Sequence, residues 1–310
     1  MSSENPPVIA VLGFGMAGRP IARGLAEAGL PDVRVWKRKP WAGEHLEAAD
    51  HPALRLTDRI EEAVSGAEIV FSLVRVEAAL ETARAAAARL GGAIYADLNT
   101  TAPDQMAEIG RLAEEAGGRP VDGAIVDPAE VYGHRVAITV SGPGAEALRE
   151  RMAPWGMNFT VLSGRVGDAS ALKMVRSVFT KGLMMTFLEA LEAGRRCGIL
   201  EPLLDSIAGT VEGMPLRDLA LSLAGTSLIV AERRASEMVH VVDTLKGLGV
   251  DSRISAASLE KFRWLSRIGV REELEGLPPG SIEEALQALE RALAGARADS
   301  SPAPGEPPPE

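Results

Sequence analysis

The chain is short of several residue types, and each shortage excludes a class of protein. A single cysteine, Cys197, leaves no internal disulfide, and only 4% of the 310 residues are aromatic, so a core must rest mainly on Leu, Val, Ile and Ala. No apolar run reaches the roughly 20 residues that a membrane-spanning helix needs. Acidic residues outnumber basic ones 43 to 33, and the net charge of -10 argues against nucleic acid or an anionic membrane as a partner.

Both ends of the chain are poor in structural signals. Residues 1–7 lack the basic start and apolar core of a secretory signal peptide, which, with the single cysteine, predicts a cytoplasmic protein. Residues 298–310, rich in Pro, Ser and Glu, have no apolar face to bury, and we expect them to be disordered.

Two domains are predicted between these ends. In residues 1–165, short apolar runs alternate with helical segments, a pattern typical of a Rossmann-like, doubly wound and mostly parallel α/β sheet. In residues 166–297 the pattern is helical throughout, opening with a run of helix formers from Ser170 to Cys197. The fold class is therefore an α/β nucleotide-binding domain followed by an all-α domain.

The most informative segment is an apolar run, Val8–Leu12, that ends in Gly-x-Gly-x-x-Gly and leads into a helical segment. In such a turn Gly13 allows the tight bend, Gly15 lets the backbone approach a pyrophosphate, and Gly18 lets the helix pack against the strand. The alternative is a glycine-rich turn in another α/β protein. The residues that we predict to bind the cofactor here are Gly13, Phe14, Gly15, Met16, Ala17 and Gly18.

The second strand, Val33–Trp36, indicates which dinucleotide is bound. An acid at the end of this strand selects NAD, because it binds the ribose 2′-hydroxyl and repels a 2′-phosphate. Here the strand ends in Lys37, Arg38 and Lys39, and Asp32 comes before it. Three cations suit a 2′-phosphate, so we predict NADP(H) over NAD(H). A solvated basic turn is the alternative.

Two further segments resemble the β-hydroxyacid dehydrogenase superfamily, the 6-phosphogluconate dehydrogenase-like oxidoreductases. Residues 97–103, Asp-Leu-Asn-Thr-Thr-Ala-Pro, are similar to the family's Asp-x-Ser-Thr-x-x-Pro loop, with Asn99 in place of Ser. Gly167 and Lys173 match the glycine and the catalytic lysine of the segment that opens the family's interdomain helix. By itself, Lys173 could equally be a surface lysine paired with an acid.

The resemblance implies a mechanism and an assembly. Lys173 would act as general acid/base in an active site between the two domains, and Leu73, Val74 and Asn99 would lie beside the cofactor. It also implies a homodimer packed through the helical domain. The apolar spacing of Phe179, Leu183, Phe187 and Leu191 favours such packing.

The departures from the family affect the substrate site. Ser177 replaces the family's Asn, and Asp127 and Glu130 come where its Ser-Gly-Gly contacts a carboxylate. The segment 233–238, Arg-Arg-Ala-Ser-Glu-Met, is typical of a poorly characterised branch. The predicted substrate-binding residues are Asn99, Thr100, Asp127, Arg176, Ser177 and His240.

The sequence is interpreted as an NADP(H)-dependent oxidoreductase that transfers hydride between nicotinamide and a small carbonyl or secondary alcohol of the β-hydroxyacid type. One alternative is imine or enamine reduction on the same scaffold, because Asp127 and Glu130 would suit a cationic substrate. Another is an NADP(H)-binding protein without catalytic activity, since two of the family's substrate-site residues are missing. No metal is expected.

Overall fold

The computed structural model describes residues 5–43, 47 and 49–299, which form two compact units divided between Phe179 and Thr180. The predicted domain boundary after residue 165 stays a prediction, because a single helix runs from Asp168 across this division. Residues 300–310 of the predicted tail lie outside the described residues.

The first unit contains an eight-stranded sheet. Its strands are β1 Ile9–Leu12, β2 Val33–Trp36, β3 Leu54–Thr57, β4 Ile69–Ser72, β5 Ile94–Asp97, β6 Arg119–Ile125, β7 Ala137–Ser141 and β8 Asn158–Ser163. Their order in the sheet is β3-β2-β1-β4-β5-β6-β7-β8, and every neighbouring pair is parallel except β6 and β7. The predicted Rossmann-like sheet is confirmed. The sequence pattern missed β3, an edge strand with only two apolar residues.

Helices connect the strands of the first unit. They are α1 Gly18–Glu27, α2 Ile60–Val64, α3 Ala79–Ala87, α4 Pro103–Glu115, α5 Ala129–Tyr132 and α6 Ala145–Met152. The sheet is buried on both faces, as β1 shows: Ile9 and Val11 join one apolar core, while Ala10 and Leu12 join the other. Burial on both faces explains why the parallel strands are nearly continuous apolar runs.

From Asp168 to the end of the described residues, the chain is helical. The helices are α7 Asp168–Cys197, α8 Leu200–Val211, α9 Leu216–Ile229, α10 Ala231–Gly247, α11 Arg253–Arg267, α12 Val270–Glu273 and α13 Ile282–Asp299. One core of the second unit includes Leu265 and Val270, and another includes Val242 and Leu259. The predicted all-α region after the sheet is confirmed.

The long helix α7 carries many exposed apolar side chains. Val178 is 76% exposed, and Phe179, Met184 and Leu188 are each more than half exposed. In the described part of the chain, no helix is both long enough and apolar enough to cross a membrane.

Candidate cofactor-binding and active site

The turn between β1 and α1 has the shape that the glycine pattern predicts. Gly13 has φ of +115°, and a Cβ there would lie 2.1 Å from the carbonyl oxygen of Leu73. A Cβ on Gly18 would lie 2.1 Å from the carbonyl oxygen of Gly13, so both positions require glycine. A Cβ on Gly15 would meet nothing within 4 Å. The two outer glycines thus close the turn, and the middle one leaves open space beside its backbone.

This open space belongs to a cleft of about 810 Å³ in the first unit. The cleft follows the carboxyl ends of β2, β1, β4 and β5, where doubly wound sheets bind nucleotides. The first turn of α1 contains no acidic residue, so its positive end favours an anion such as a pyrophosphate. The space and the charge here therefore fit a dinucleotide.

The basic residues after β2 line one end of the cleft. Lys37 donates a 2.7 Å hydrogen bond to the carbonyl oxygen of Pro40 and lies 4.9 Å from the ring centre of Trp41. Arg38 and Lys39 are exposed, and neither has an ion-pair partner among the described residues. Asp32 lies at the other end of β2 and accepts from Arg34, so it is away from this basic end.

At the other end of the cleft, Lys173 extends from the second turn of α7 toward the loop after β5. Its Nζ donates a 3.0 Å hydrogen bond to Oγ1 of Thr100, and both residues are partly buried. Thr100 has φ of +58°, which is unusual for a β-branched residue. The structure thus brings Lys173 together with the loop that resembles the family's substrate loop.

A buried carboxylate holds the start of α7. Asp122, on β6, is fully buried and accepts a 2.8 Å bond from the backbone N–H of Ser170 and a 2.6 Å bond from its hydroxyl. Ser141 donates a 3.3 Å bond to the same carboxylate and accepts one of 3.0 Å from the N–H of Ala169. The carboxylate therefore caps the helix from the sheet, and Lys173 is three residues further on.

A second buried carboxylate holds the loop after β5. Asp97 accepts a 3.0 Å bond from the backbone N–H of Asn99 and a 2.8 Å bond from its side-chain amide. The same Nδ2 donates a 2.8 Å bond to the hydroxyl of Ser72. Burial raises the pKa of Asp97 to about 6; Asp122 adds to the rise and the bonds from Asn99 oppose it.

The remaining predicted substrate residues lie in different places. Asp127 is exposed and lines the cleft together with Glu130. Ser177 donates a 2.9 Å bond to the backbone carbonyl of Lys173, while Arg176 is exposed on the same helix. His240 lies on α10, where it lines a mostly apolar cavity of about 640 Å³ within the second unit.

Sequence reasoning gave no role to Arg75, Asp97 or Asp122, although Asp97 begins the loop that resembles the family's substrate loop. Arg75 follows β4 and lines the cleft. Asp97 and Asp122 are register partners on β5 and β6. Asp97 is visible in the sequence as the acid that ends the apolar strand β5, and Asp122 as an acid within β6, but their hydrogen bonds depend on the sheet order. Among the described residues, no group of three side chains could hold a metal ion.

A strand, glycine turn and helix at the middle of a parallel sheet, followed by a helical region, define an NAD(P)-binding dehydrogenase fold. Residues 8–153 match the NAD binding domain of 6-phosphogluconate dehydrogenase, and residues 195–265 match a domain of unknown function, DUF1932. A solved conserved protein of unknown function, with structural similarity to 3-hydroxyacid dehydrogenases, is 30% identical with a TM-score of 0.58, over 87% of this chain and 99% of that one. The chain belongs to this 3-hydroxyacid dehydrogenase family, with a 6-phosphogluconate dehydrogenase-like NAD-binding domain.

Two more proteins extend the likeness. The chloroplastic glyoxylate/succinic semialdehyde reductase 2 of Arabidopsis thaliana is 25% identical over 86% of this chain and 76% of its own length. The imine reductase of Myxococcus stipitatus in complex with NADP⁺ is 20% identical with a TM-score of 0.70, over 91% of this chain and 100% of that one. The second likeness concerns the fold alone. The family is one of oxidoreductases, which confirms the predicted class.

Proposed function

We propose that the chain is an NADP(H)-dependent oxidoreductase that interconverts a small carbonyl compound and its secondary alcohol, with Lys173 as the general acid/base. One observation carries the proposal: the Lys173 ammonium is bonded to Thr100 at 3.0 Å and lines the same cleft as the glycine turn. The cofactor-binding feature and the proton donor thus open on one space. The family membership supports the reaction class.

In this mechanism the chain binds, orients and polarises. The turn at Gly15 and the positive end of α1 hold the pyrophosphate, and Arg38 with Lys39 bind the 2′-phosphate. When bound, the cofactor supplies the hydride. Lys173 stabilises the negative charge that grows on the carbonyl oxygen and gives that oxygen a proton. Thr100 holds the ammonium in place.

The test separates chemistry from cofactor binding. Lys173→Ala should bind NADPH as the wild type does, while turnover falls by about 100- to 10,000-fold, the usual effect of one positioned acid/base. Lys173→Arg should not restore turnover, because a guanidinium does not release its proton near neutral pH. Lys181→Ala is the matched control, an exposed lysine two turns further along α7. Turnover by Lys173→Ala above about a third of wild type, where chemistry limits the rate, would contradict the assignment.

The exposed acids of the cleft favour a second candidate, reduction of an imine. Asp127 and Glu130 line the cleft near the reaction end, and a carboxylate substrate would be repelled by both. A protonated imine would be attracted. Assays with NADPH and either glyoxylate, succinic semialdehyde or the cyclic imine 1-pyrroline distinguish the two reactions. Tight NADPH binding with no turnover of any of them would instead favour the alternative of a protein without catalytic activity.

We also propose that the protein is a homodimer through its helical region. The exposed apolar side chains of α7, among them Val178 and Leu188, support this, because clustered apolar side chains on a helix are stabilised by a partner that covers them. One chain has a mass of 32.6 kDa, and light scattering at micromolar concentration should give twice this mass. A mass of one chain would contradict the proposal.

A further inference from the structure

The side chain of Asn99 presents an unsatisfied acceptor at the cleft. Its Nδ2 uses both hydrogens, donating to Asp97 and to Ser72 at 2.8 Å each. Its Oδ1 is buried and has no hydrogen-bond partner, and Asn99 lines the cleft. A buried polar atom without a partner is destabilising, so such an atom beside a cleft indicates a ligand that completes it.

Asp97 determines which end of the Asn99 amide is bonded to the sheet and which end is left without a partner. An ionised carboxylate can only accept hydrogen bonds, so it binds the NH₂ end of Asn99 and repels Oδ1. Its other oxygen accepts the backbone N–H of Asn99 at 3.0 Å, which fixes the carboxylate against the loop. With Asp97 ionised, the opposite orientation of the amide would place two oxygens against each other. The amide therefore has one favourable orientation, with Oδ1 away from the carboxylate.

We propose that Asp97 is a positioning residue which, with Ser72, locks the Asn99 amide so that Oδ1 accepts a hydrogen bond from an N–H or O–H donor on the nicotinamide half of the cofactor. The inference rests on the proposed function, because it takes NADP(H) as the ligand. Asp97 itself is fully buried, so it acts through Asn99.

The strand order supports the choice of the nicotinamide half. The basic residues after β2 bind the 2′-phosphate end in the proposed function, and the glycine turn follows β1. Asn99 follows β5, two strands beyond β1 on the side away from β2. Neighbouring strands are about 4.8 Å apart, so Asn99 is about 10 Å beyond the turn, where the far half of a dinucleotide would extend. That half carries carboxamide N–H and ribose O–H donors.

A double-mutant cycle on NADPH binding tests whether Asp97 fixes the orientation of the Asn99 amide. In Asp97→Asn the new amide keeps its oxygen on the backbone N–H of Asn99, so its NH₂ faces the Asn99 side chain and favours the opposite orientation. The competent orientation then falls to between about a tenth and a third of the molecules. The dissociation constant for NADPH, measured by fluorescence titration, should rise by about three- to tenfold. In an Asn99→Ser background the same change should have less than about a twofold effect, because a hydroxyl donates or accepts in either environment.

Two controls separate this role from a general structural one. Adenosine 2′,5′-bisphosphate lacks the whole nicotinamide half, both the base and its ribose, so its affinity should be the same for wild type and Asp97→Asn. Asp104→Asn, an exposed acid at the start of α4, should leave both affinities unchanged. The melting temperature of Asp97→Asn at pH 7.5 should be no lower than that of the wild type.

Equal losses of NADPH affinity in the two backgrounds, or equal losses for NADPH and adenosine 2′,5′-bisphosphate, would overturn the inference. A wild type that does not bind NADPH would overturn both the inference and the proposed cofactor. The expected cycle in a protein that turns over no substrate would support the inference and contradict the proposed catalysis.

Discussion

The two ends of the cleft are built in different ways. The end with the glycine turn is shaped by the backbone and by the absence of side chains. Gly13 and Gly18 close the turn, and Gly15 leaves open space. The end with Lys173 is shaped by side chains instead. Lys173 and Asn99 are each positioned through a buried carboxylate, and the two carboxylates lie on neighbouring strands. The glycine turn is formed by residues close together in the sequence, whereas the arrangement around Lys173 and Asn99 forms only when the sheet has assembled. Substitutions should therefore act differently at the two ends.

The largest effect is expected within the glycine turn itself. Gly13→Ala places a Cβ at 2.1 Å from a backbone oxygen with φ of +115°, and should destabilise the protein by about 3–5 kcal/mol. Gly15→Ala should leave the melting temperature unchanged but weaken NADPH binding by about tenfold or more, because its methyl group enters the space left for the pyrophosphate. Thermal unfolding and NADPH titration measure both. Equal stability of the two variants would contradict the structural difference between these glycines.

The next effect sharpens the contrast at the reaction end. The pKa of Asp97 is about 6 in the fold against an ordinary 3.8, so the folded state holds this proton more tightly than the unfolded state. The protonated Asp97 therefore adds to the free energy of unfolding below about pH 4. This contribution, about 3 kcal/mol in total, is lost as the pH rises through about 6. About half of this loss of stability should occur between pH 5 and pH 7.5.

Urea unfolding of wild type and Asp97→Asn at these two pH values isolates the effect of one group. The free energy of unfolding of the variant, taken relative to that of the wild type, should be about 1–2 kcal/mol higher at pH 7.5 than at pH 5. A difference that does not change with pH would show that Asp97 titrates near its ordinary value.

An effect on binding alone is expected at the basic end of the cleft. A charge-assisted bond to a 2′-phosphate is worth about 1.5–3 kcal/mol, so Arg38→Ala should weaken NADPH by about tenfold to 150-fold and leave NADH nearly unchanged. Titration of both cofactors measures this. Equal affinity of the wild type for NADPH and NADH would contradict the predicted preference.

The sequence predicted most of the first end and only part of the second. The glycine turn, the basic residues after β2 and the α7 segment with Lys173 were all identified, because each depends on a short pattern. The roles of Asp97 and Asp122 were not predicted, since their partners Ser72 and Ser170 are far away along the chain and meet them through the sheet order. The edge strand β3 was missed because half of its residues are polar.

The position of Asp127 and Glu130 has a consequence for how such a protein could change during evolution. Both are exposed, just after β6, and neither takes part in the hydrogen bonds that hold Lys173 and Asn99. If Lys173 is the proton donor, as proposed, single substitutions at Asp127 and Glu130 would change substrate preference without disturbing its hydrogen bond to Thr100.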